Sequence, residues 1–458
     1  MSKPLFNNFD SVSAKAWKQK IQLDLKGADY NETLIWKSPE GIDVKPFYNV
    51  EDINNTPFST NTNNSWKICQ TIYVNNTNEA NLKALDVLNR GAESLRFIIA
   101  AKDINAFELL KNIDLKSIPI FFELEFISSS YALSLNSIAK KENAIFYLQI
   151  DIIGHLAKSG NWYKNLKEDH TILENIITNC KYLKSSISID VSLYQNSGAN
   201  ITQQLTYALA HTNEYLNHFG NAIKNKILFK VSVGSNYFFE IAKLKALRLL
   251  WHSLALEYYQ NPPECYIIAS PTKRNKTIYD YNTNLLRTTT ECMSASLGGA
   301  DFIDNIRYDA IYHEDNEFGE RIARNQLLVL KNESYFNMVN NPTQGAYYIE
   351  FLTSQLAEKA LAIFKDIESN GGFLKQLKEG IIQRKIKENT SKEQELFDKE
   401  EIVLLGTNIH KNENDNMINN LERFPFLKRN KRKTLIEPII PHRLSEKIEQ
   451  ERLNNEKI

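Results

Sequence analysis

The stretch NAIFYLQID at residues 143–151 has the length and the β-branched and aromatic composition of a buried strand. Seven similar runs lie along the chain, and the segments between them carry apolar residues three and four positions apart, as in Ile241, Leu244 and Leu247. Parallel strands need long crossover connections, so strands that alternate with helices predict a parallel sheet. The other seven runs are residues 66–74, 94–100, 118–125, 185–194, 226–234, 265–272 and 300–306.

Eight such units favour an α/β fold of the closed (β/α)8 TIM-barrel type. An open doubly wound sheet is the alternative, but it usually has a glycine-rich first turn, and no G-x-G-x-x-G occurs in this sequence. Before the first strand, Pro39, Gly41 and Pro46 exclude a helix over residues 36–48, which we expect to run as an extended arm over another surface. An amphipathic stretch around Trp17 either folds back on the barrel or contacts a partner.

Composition then divides the chain into three parts. We predict an N-terminal arm at residues 1–60, the barrel with its following helices at 61–405, and a polar, linker-like tail at 406–458. The tail contains a basic run at residues 428–433. A solvated linker explains this run better than a site for the phosphates of CoA or of an RNA.

Charge and hydropathy exclude several classes of protein. Lys plus Arg and Asp plus Glu both number 55, so the net charge of zero attracts neither nucleic acid nor an anionic membrane. No segment approaches the ~20 consecutive apolar residues of a membrane helix, and the N-terminus has no signal-peptide pattern, so we expect a cytoplasmic protein. The four cysteines lie far apart without a C-x-x-C pair, which argues against a disulfide framework or a zinc site and predicts buried thiols.

Few residues stand out as catalytic candidates. Asp151 and His155 lie at the end of the fourth predicted strand, where barrel enzymes carry their chemistry, but no further ligand or matched carboxylate accompanies them. Gly298 and Gly299 are candidates for a phosphate cradle, although a tight connection from helix to strand explains them better. The residues taken alone therefore assign no catalytic centre.

Several motifs, in the same order and over nearly the whole chain, resemble those of the methylmalonyl-CoA mutase family. They are GADY at 27–30, W…PEGI…VKP at 36–46, FEIAKLKALRLLW at 239–251, RTTT at 287–290, LGGAD at 297–301, RIARN at 321–325, KNES at 331–334, NPTQGAYYIEFLT at 341–353 and IESNGG at 367–372. The resemblance implies a (β/α)8 barrel that holds a CoA ester along its axis, followed by a cobalamin-binding domain. It also implies that adenosylcobalamin supplies the radical chemistry that interconverts succinyl-CoA and methylmalonyl-CoA.

Four positions depart from the family's site. Catalytic chains read Trp-Thr-Ile-Arg-Gln-Tyr on the first strand, where this chain has Cys69 for the arginine and Thr71 for the tyrosine. They read Tyr-His-Met-Gln-Glu near the fifth strand, where this chain has Leu193 for the histidine and Asn196 for the glutamate. A thiol cannot form the bidentate carboxylate pair of a guanidinium, and leucine has no donor for a thioester carbonyl. We therefore expect no catalytic, cofactor-binding or metal-binding residue in this chain.

The resemblance also predicts a partner. The sequence has no Asp-x-His-x-x-Gly, which supplies the cobalt ligand in the family, and residues 441–452 resemble the stretch that precedes the cobalamin domain. We expect no cobalamin-binding domain here and place adenosylcobalamin on a large catalytic subunit, with which this small, non-catalytic chain forms a heterodimer wrapped by its arm. The alternatives are an active acyl-CoA mutase barrel that uses a cobalamin domain on a separate chain, and a pure assembly or binding protein. Whether the barrel retains a CoA ester site stays open.

Overall fold

The computed structural model describes residues 10, 12–53, 65–223, 226–427 and 432–456. Eight parallel strands lie in the order β6-β5-β4-β3-β10-β9-β8-β7, and a bridge between Tyr147 and Ser185 closes the ring. The predicted (β/α)8 barrel is confirmed. The barrel strands are β3 Lys67–Val74, β4 Ser94–Ile99, β5 Ile120–Leu124, β6 Phe146–Gln149, β7 Ser188–Asp190, β8 Leu228–Val233, β9 Tyr266–Pro271 and β10 Phe302–Asp304, and a hairpin of β1 Trp36–Lys37 and β2 Asp43–Val44 precedes them.

Each barrel strand is followed by at least one helix, which gives every parallel pair its crossover. Helices α1 Ala14–Asp24 and α2 Tyr30–Leu34 belong to the arm, and α13 Tyr347–Ser369, α14 Phe373–Lys378, α15 Ile381–Asp398 and α16 Glu446–Asn455 follow the barrel. The helices that follow the individual barrel strands are α3 Thr77–Asn89, α4 Ala106–Leu109, α5 Ser129–Glu142, α6 Ile152–Ser159, α7 Leu166–Asn179, α8 Ser192–Asn196, α9 Ile201–Phe219, α10 Tyr237–Leu256, α11 Thr283–Leu297 and, after the last strand, α12 Glu317–Asn332.

The pleat of each strand separates the core from the barrel lumen. On β4, Leu95, Phe97 and Ile99 are fully buried in the main core between the strands and the helices. Arg96, which lies between them in sequence, points to the opposite face and forms hydrogen bonds inside the barrel. This two-residue alternation decides which side chains line the barrel axis.

One predicted strand is shorter than the run that suggested it. Of residues 185–194, only Ser188–Asp190 forms a strand, and Leu193 and Tyr194 lie in helix α8. Both side chains are buried, at 4% and 0% exposure. A short apolar run fits a buried helix as well as a buried strand, so the pattern alone did not distinguish them.

The arm lies partly on its own barrel. Ile42, in the turn of the hairpin, is buried in the main core, the Trp36 ring contacts Phe239 of α10 at 5.7 Å, and the Tyr48 ring stacks on Tyr348 of α13 at 5.1 Å. The extended segment predicted over residues 36–48 therefore covers a surface of this same chain. Residues 54–60, the end of the predicted arm, lie outside the described residues.

Helix α1 differs from the hairpin because it buries none of its residues. Its Trp17 is 51% exposed and Leu23 is 75% exposed. The Trp17 ring contacts Phe47 edge-on at 6.1 Å, which attaches the helix to the rest of the arm. An apolar stripe in this position is available to another chain.

The segment predicted as a linker-like tail packs on the C-terminal end of the barrel. Met417 and Glu449 are fully buried. The backbone NH of His442 donates to the carbonyl of Asn196, and that of Leu444 donates to the carbonyl of Arg274. The apolar residues of this polar segment are scattered without a helical or strand period, so the sequence pattern could not predict that they are buried. Their burial depends on the barrel surface on which they pack.

All four cysteines are buried, as the sequence predicts. Among the described residues, no helix is long and apolar enough to cross a membrane. Within the same ranges, no cluster of three or more His, Cys, Asp or Glu side chains is arranged to hold a metal ion.

Candidate functional site at the barrel mouth

Side chains fill the N-terminal part of the barrel lumen. The Phe121 ring stacks on Tyr147 at 4.5 Å, and the Phe302 ring meets Phe121 edge-on at 4.7 Å. Rings packed at these distances block the barrel axis. This aromatic cluster comprises Cys69, Phe121, Tyr147, Leu228, Ile268 and Phe302.

Cys69 behaves as an apolar member of the aromatic cluster. Its side chain is 3% exposed, and burial, with the nearby charge of Asp304, raises the pKa of the thiol well above its usual value. The protonated thiol is neither a nucleophile nor a ligand for an anionic group at neutral pH.

A layer of ion pairs crosses the lumen above the aromatic cluster. The Arg96 guanidinium donates from Nη2 to Asp304 on β10 at 2.8 Å and from Nε to the Thr71 hydroxyl on β3 at 2.8 Å. The Thr71 hydroxyl in turn donates to the same Asp304 oxygen at 2.8 Å. The Thr71 hydroxyl thus links strands β3, β4 and β10 through its hydrogen bonds and is not available to a ligand.

Lys230 of β8 forms the second part of this layer. Its Nζ lies 2.9 and 3.1 Å from the two carboxylate oxygens of Glu123 on β5, and 3.3 Å from Asp190 at the end of β7. Burial would raise the pKa of Glu123, but Lys230 and Arg96 outweigh it and bring that pKa to about 2. Burial would lower the pKa of Lys230, but Asp190 and Glu123 raise it above its usual value. Both groups stay charged at neutral pH, which does not suit them to proton transfer.

A cavity of 570 Å³ lies over the ion-pair layer at the C-terminal ends of the strands, where barrel enzymes bind their substrates. Tyr73, Leu193 and Lys273 belong to its wall, and the C-terminal segment contributes Phe426 and His442. The position of this segment makes the mouth cavity a partly enclosed pocket.

Leu193 and Asn196 have different roles at this cavity. Leu193 is 4% exposed and presents only carbon atoms to the space. The Asn196 side-chain oxygen accepts from the Thr272 hydroxyl and from the backbone NH of Lys273, both at 2.9 Å, and its Nδ2 donates to the Ser232 hydroxyl at 3.0 Å. Asn196 therefore ties α8 to β8 and to the end of β9.

Asp151 serves a structural purpose. Its carboxylate accepts from the Tyr215 hydroxyl at 2.8 Å and from the Gly154 NH at 2.7 Å, and it lies 2.9 Å from His211 Nε2. Burial would raise the pKa of Asp151, but His211 and these hydrogen bonds hold it below its usual value. The carboxylate caps α6 and has its hydrogen bonds within the protein.

His155 does not pair with Asp151. Its ring stacks on Tyr163 with centroids 3.6 Å apart, and burial together with the charge of Lys158 lowers its pKa to about 4.

Gly298 and Gly299 follow α11 at the end of the barrel opposite to the mouth, and a Cβ at Gly298 would lie 2.9 Å from Leu244. This close packing supports a tight connection from helix to strand, rather than a phosphate cradle, as the role of these glycines.

Of the basic run, residues 428–431 lie outside the described part of the chain. Arg432 is described, and its Nη2 donates to the Ser159 carbonyl at 2.7 Å. That bond attaches the C-terminal segment to the end of α6.

The Methylmalonyl-CoA mutase family model matches residues 97–454. This chain belongs to the methylmalonyl-CoA mutase family. It is 34% identical over 445 residues to the methylmalonyl-CoA mutase small subunit of Porphyromonas gingivalis, a match that covers 88% of this chain and 70% of that relative.

Two further members of the methylmalonyl-CoA mutase family are matched over a smaller part of their length. The methylmalonyl-CoA mutase of Cereibacter sphaeroides is 34% identical over 233 residues, which is 49% of this chain and 33% of the relative. The probable methylmalonyl-CoA mutase large subunit of Mycobacterium bovis is 26% identical over 440 residues, which is 82% of this chain and 58% of the relative. The chain therefore spans less than two thirds of both relatives.

Within this fold, the four positions at which the sequence analysis predicts a departure from the family lie at two levels. Cys69 belongs to the aromatic cluster and Thr71 to the ion-pair layer, whereas Leu193 and Asn196 line the mouth cavity. That these four positions replace catalytic residues of the family stays a prediction from the sequence resemblance.

The sequence analysis missed the charged residues of the lumen. A signal was present, because each lies inside an otherwise apolar strand run, at a position two residues from another inward-facing side chain. A charge within a predicted buried strand requires a partner, and the barrel supplies one from another strand. The residues concerned are Arg96, Glu123, Lys230 and Asp304.

Proposed function

We propose that this chain is the small, non-catalytic subunit of a heterodimeric methylmalonyl-CoA mutase and stabilises a large catalytic chain that binds adenosylcobalamin. The observation that carries the proposal is the blocked lumen. A catalytic barrel of this family holds the CoA ester along its axis, and here the rings of Phe121, Tyr147 and Phe302 occupy that axis. An ester tail cannot share the space of a close-packed cluster.

The electrostatics of the lumen support the same conclusion. Arg96, in the layer above the aromatic cluster, is already paired with Asp304, and burial keeps the thiol of Cys69 protonated. Leu193 offers no hydrogen bond to a thioester carbonyl. The charged residues of the ion-pair layer are paired with one another, so we expect them not to serve as the acid, base or oxyanion donor of the family's reaction.

A large partner chain is supported by the names and by one surface. The relative in Porphyromonas gingivalis is named a small subunit and that in Mycobacterium bovis a large one, which fits an enzyme built from two related chains. The exposed Trp17 and Leu23 of α1 lie on a helix that buries nothing against its own chain. That helix is the part of the arm best placed to lie on the partner.

The test is purification of the tagged chain from its native cell, with mass identification and stoichiometry of the proteins that co-elute. We expect a larger mutase chain at one copy per copy of this one. The isolated chain should not convert methylmalonyl-CoA to succinyl-CoA with added adenosylcobalamin, whereas the pair should. Turnover by the isolated chain, or by the chain with only a cobalamin domain, would instead establish an active barrel. Absence of any mutase chain from the eluate would leave an assembly protein of another kind.

A further inference from the structure

Two lysines of the mouth cavity have no carboxylate within ion-pair distance among the described residues. Lys158 lies in the last turn of α6, and Lys273 follows β9. The other cations of the cavity are paired, Arg96 with Asp304, Lys230 with Glu123 and Arg443 with Glu449. Both unpaired side chains remain accessible to water inside the cavity.

The charges that act most strongly on Lys273 are cationic. Burial contributes most to lowering its pKa, and the charges that add to this effect are Lys230, Arg96, Lys158 and Arg423. A cation held among cations raises the free energy of the folded chain unless a negative charge is supplied. The cavity lining also holds five carboxylates, but the main charges acting on Lys273 are cations, which favours an anion beside this lysine.

Arg96 adds an unsatisfied donor to the same place. Its side chain lies on the floor of the cavity and is 8% exposed. The Nε and Nη2 groups are used by Thr71 and Asp304, whereas Nη1 is buried and has no acceptor among the described residues. A buried guanidinium donor without a partner is rare in folded proteins, because the missing hydrogen bond costs free energy.

We propose that the mouth cavity binds a small organic anion, whose carboxylate or phosphate group pairs with Lys273 and Lys158 above Arg96. The cavity volume of 570 Å³ suits a ligand of metabolite size. Carbon atoms of such a ligand would pack on the apolar part of the lining, which includes Ile98, Val231, Ile306 and Phe426. The proposal concerns a ligand site of this chain itself and does not depend on whether the chain is catalytic.

The experiment is calorimetric titration of the full chain, in complex with its partner where one exists, with sodium succinate and with inorganic phosphate. Sodium chloride at equal ionic strength provides the reference. We expect saturable binding of at least one of the two anions, and the one that binds more tightly identifies the group recognised. Lys273→Gln and Lys158→Gln should each weaken that binding about tenfold or more, since each removes a charge-assisted hydrogen bond.

The matched control is Lys141→Gln, in the last turn of α5, which does not line the cavity and whose side chain is 78% exposed. It should bind the anion as tightly as the wild type. Lys273→Gln should also melt at the same or a higher temperature than the wild type without added anion, because it removes an unfavourable charge. The proposal is overturned if neither anion binds more than chloride does, or if Lys273→Gln and Lys158→Gln bind as tightly as Lys141→Gln.

Discussion

Leu193 places a hydrocarbon side chain on the wall of the mouth cavity, at the position where the sequence resemblance predicts the histidine of catalytic chains. The change Leu193→His restores that ring but leaves Cys69 and Thr71 in place and the axis blocked by the aromatic cluster. Because groups of an active site act as a unit, one restored member recovers little. We expect no succinyl-CoA from this variant, even with a separate cobalamin domain, when product is followed by chromatography.

The matched control for that experiment is Leu193→Asn, which makes the same wall polar without an imidazole. Both variants should give the background level of the wild-type chain. Product from Leu193→His alone would mean that the other substituted positions do not disable the site.

His155 gives the stability of the protein a specific dependence on pH. Its pKa of about 4 lies below the usual 6.5, so the folded state favours the neutral ring. The unfolded chain therefore binds the proton first as pH falls, and stability is lost between pH 6.5 and 4. The pKa values of His170 and His442 are lowered too, which adds to the loss in the same direction.

The change His155→Phe should reduce that loss, because phenylalanine can keep the stack on Tyr163 and has no proton to bind. Urea unfolding of the wild type and the variant at pH 7 and pH 5 measures the loss of stability between the two pH values. We expect a smaller difference between the two pH values for the variant. An equal difference would show that His155 does not contribute to the acid sensitivity.

At the scale of elements, helix α1 and the hairpin of the arm should contribute differently to the stability of the barrel. Deletion of residues 1–27 removes a helix with no buried residue, so the barrel should keep its melting temperature. Deletion of residues 1–48 also removes Ile42 from the core and should lower that temperature. Circular dichroism measures both effects.

The same two deletions locate the contact with the partner. Removal of residues 1–27 should weaken association with the large chain about tenfold or more, as measured by surface plasmon resonance, because the exposed face of Trp17 and Leu23 is lost. An unchanged affinity would assign the contact to another surface.

The C-terminal segment contains a buried ion pair whose two members also bond the barrel: Arg443 donates to the Lys276 carbonyl and Glu449 accepts from the Ile278 NH, both at 3.0 Å. Arg443 Nη1 lies 2.5 Å from Glu449, and these side chains are 5% and 0% exposed. The change Arg443→Ala leaves a buried carboxylate without its cation and should cost about 3–5 kcal/mol of stability. The control is Arg423→Ala at the half-exposed pair with Glu314, which should cost ~1 kcal/mol or less. Chemical denaturation measures the free energy of unfolding of both variants. Similar losses of stability would contradict the greater contribution expected of the buried pair.

At the scale of the whole molecule, the aromatic cluster stabilises the barrel as one unit. Phe121→Ala and Phe302→Ala should each cost about 3–5 kcal/mol, since each opens a space inside a closed ring of strands. The double variant should lose less than the sum, because the two rings touch at 4.7 Å. Phe107→Ala on α4, where the ring is 61% exposed, is the control and should change stability little. Additive losses would mean that the cluster is not cooperative.

Local patterns predicted the elements well and their boundaries less well. All eight strand runs form barrel strands, since β-branched and aromatic residues between helical segments have few other ways to pack. The run at residues 185–194 was overextended, because Leu193 and Tyr194 are buried in a helix rather than a strand. The four predicted departures from the family were read from sequence and stay predictions, whereas the hydrogen bonds that Thr71 and Asn196 form were seen only in the structure.

The sequence by itself determined that this chain is a parallel α/β barrel of the methylmalonyl-CoA mutase family, because strand alternation and short motifs are local properties. Only the tertiary structure decided that Arg96 pairs with Asp304, 208 positions away, and that aromatic rings close the axis. It also decided that Phe426, His442 and other described residues of the C-terminal segment line the barrel mouth. The physical reason is that lumen and mouth are formed by side chains from strands far apart in the chain, whose contacts exist only after the ring has closed.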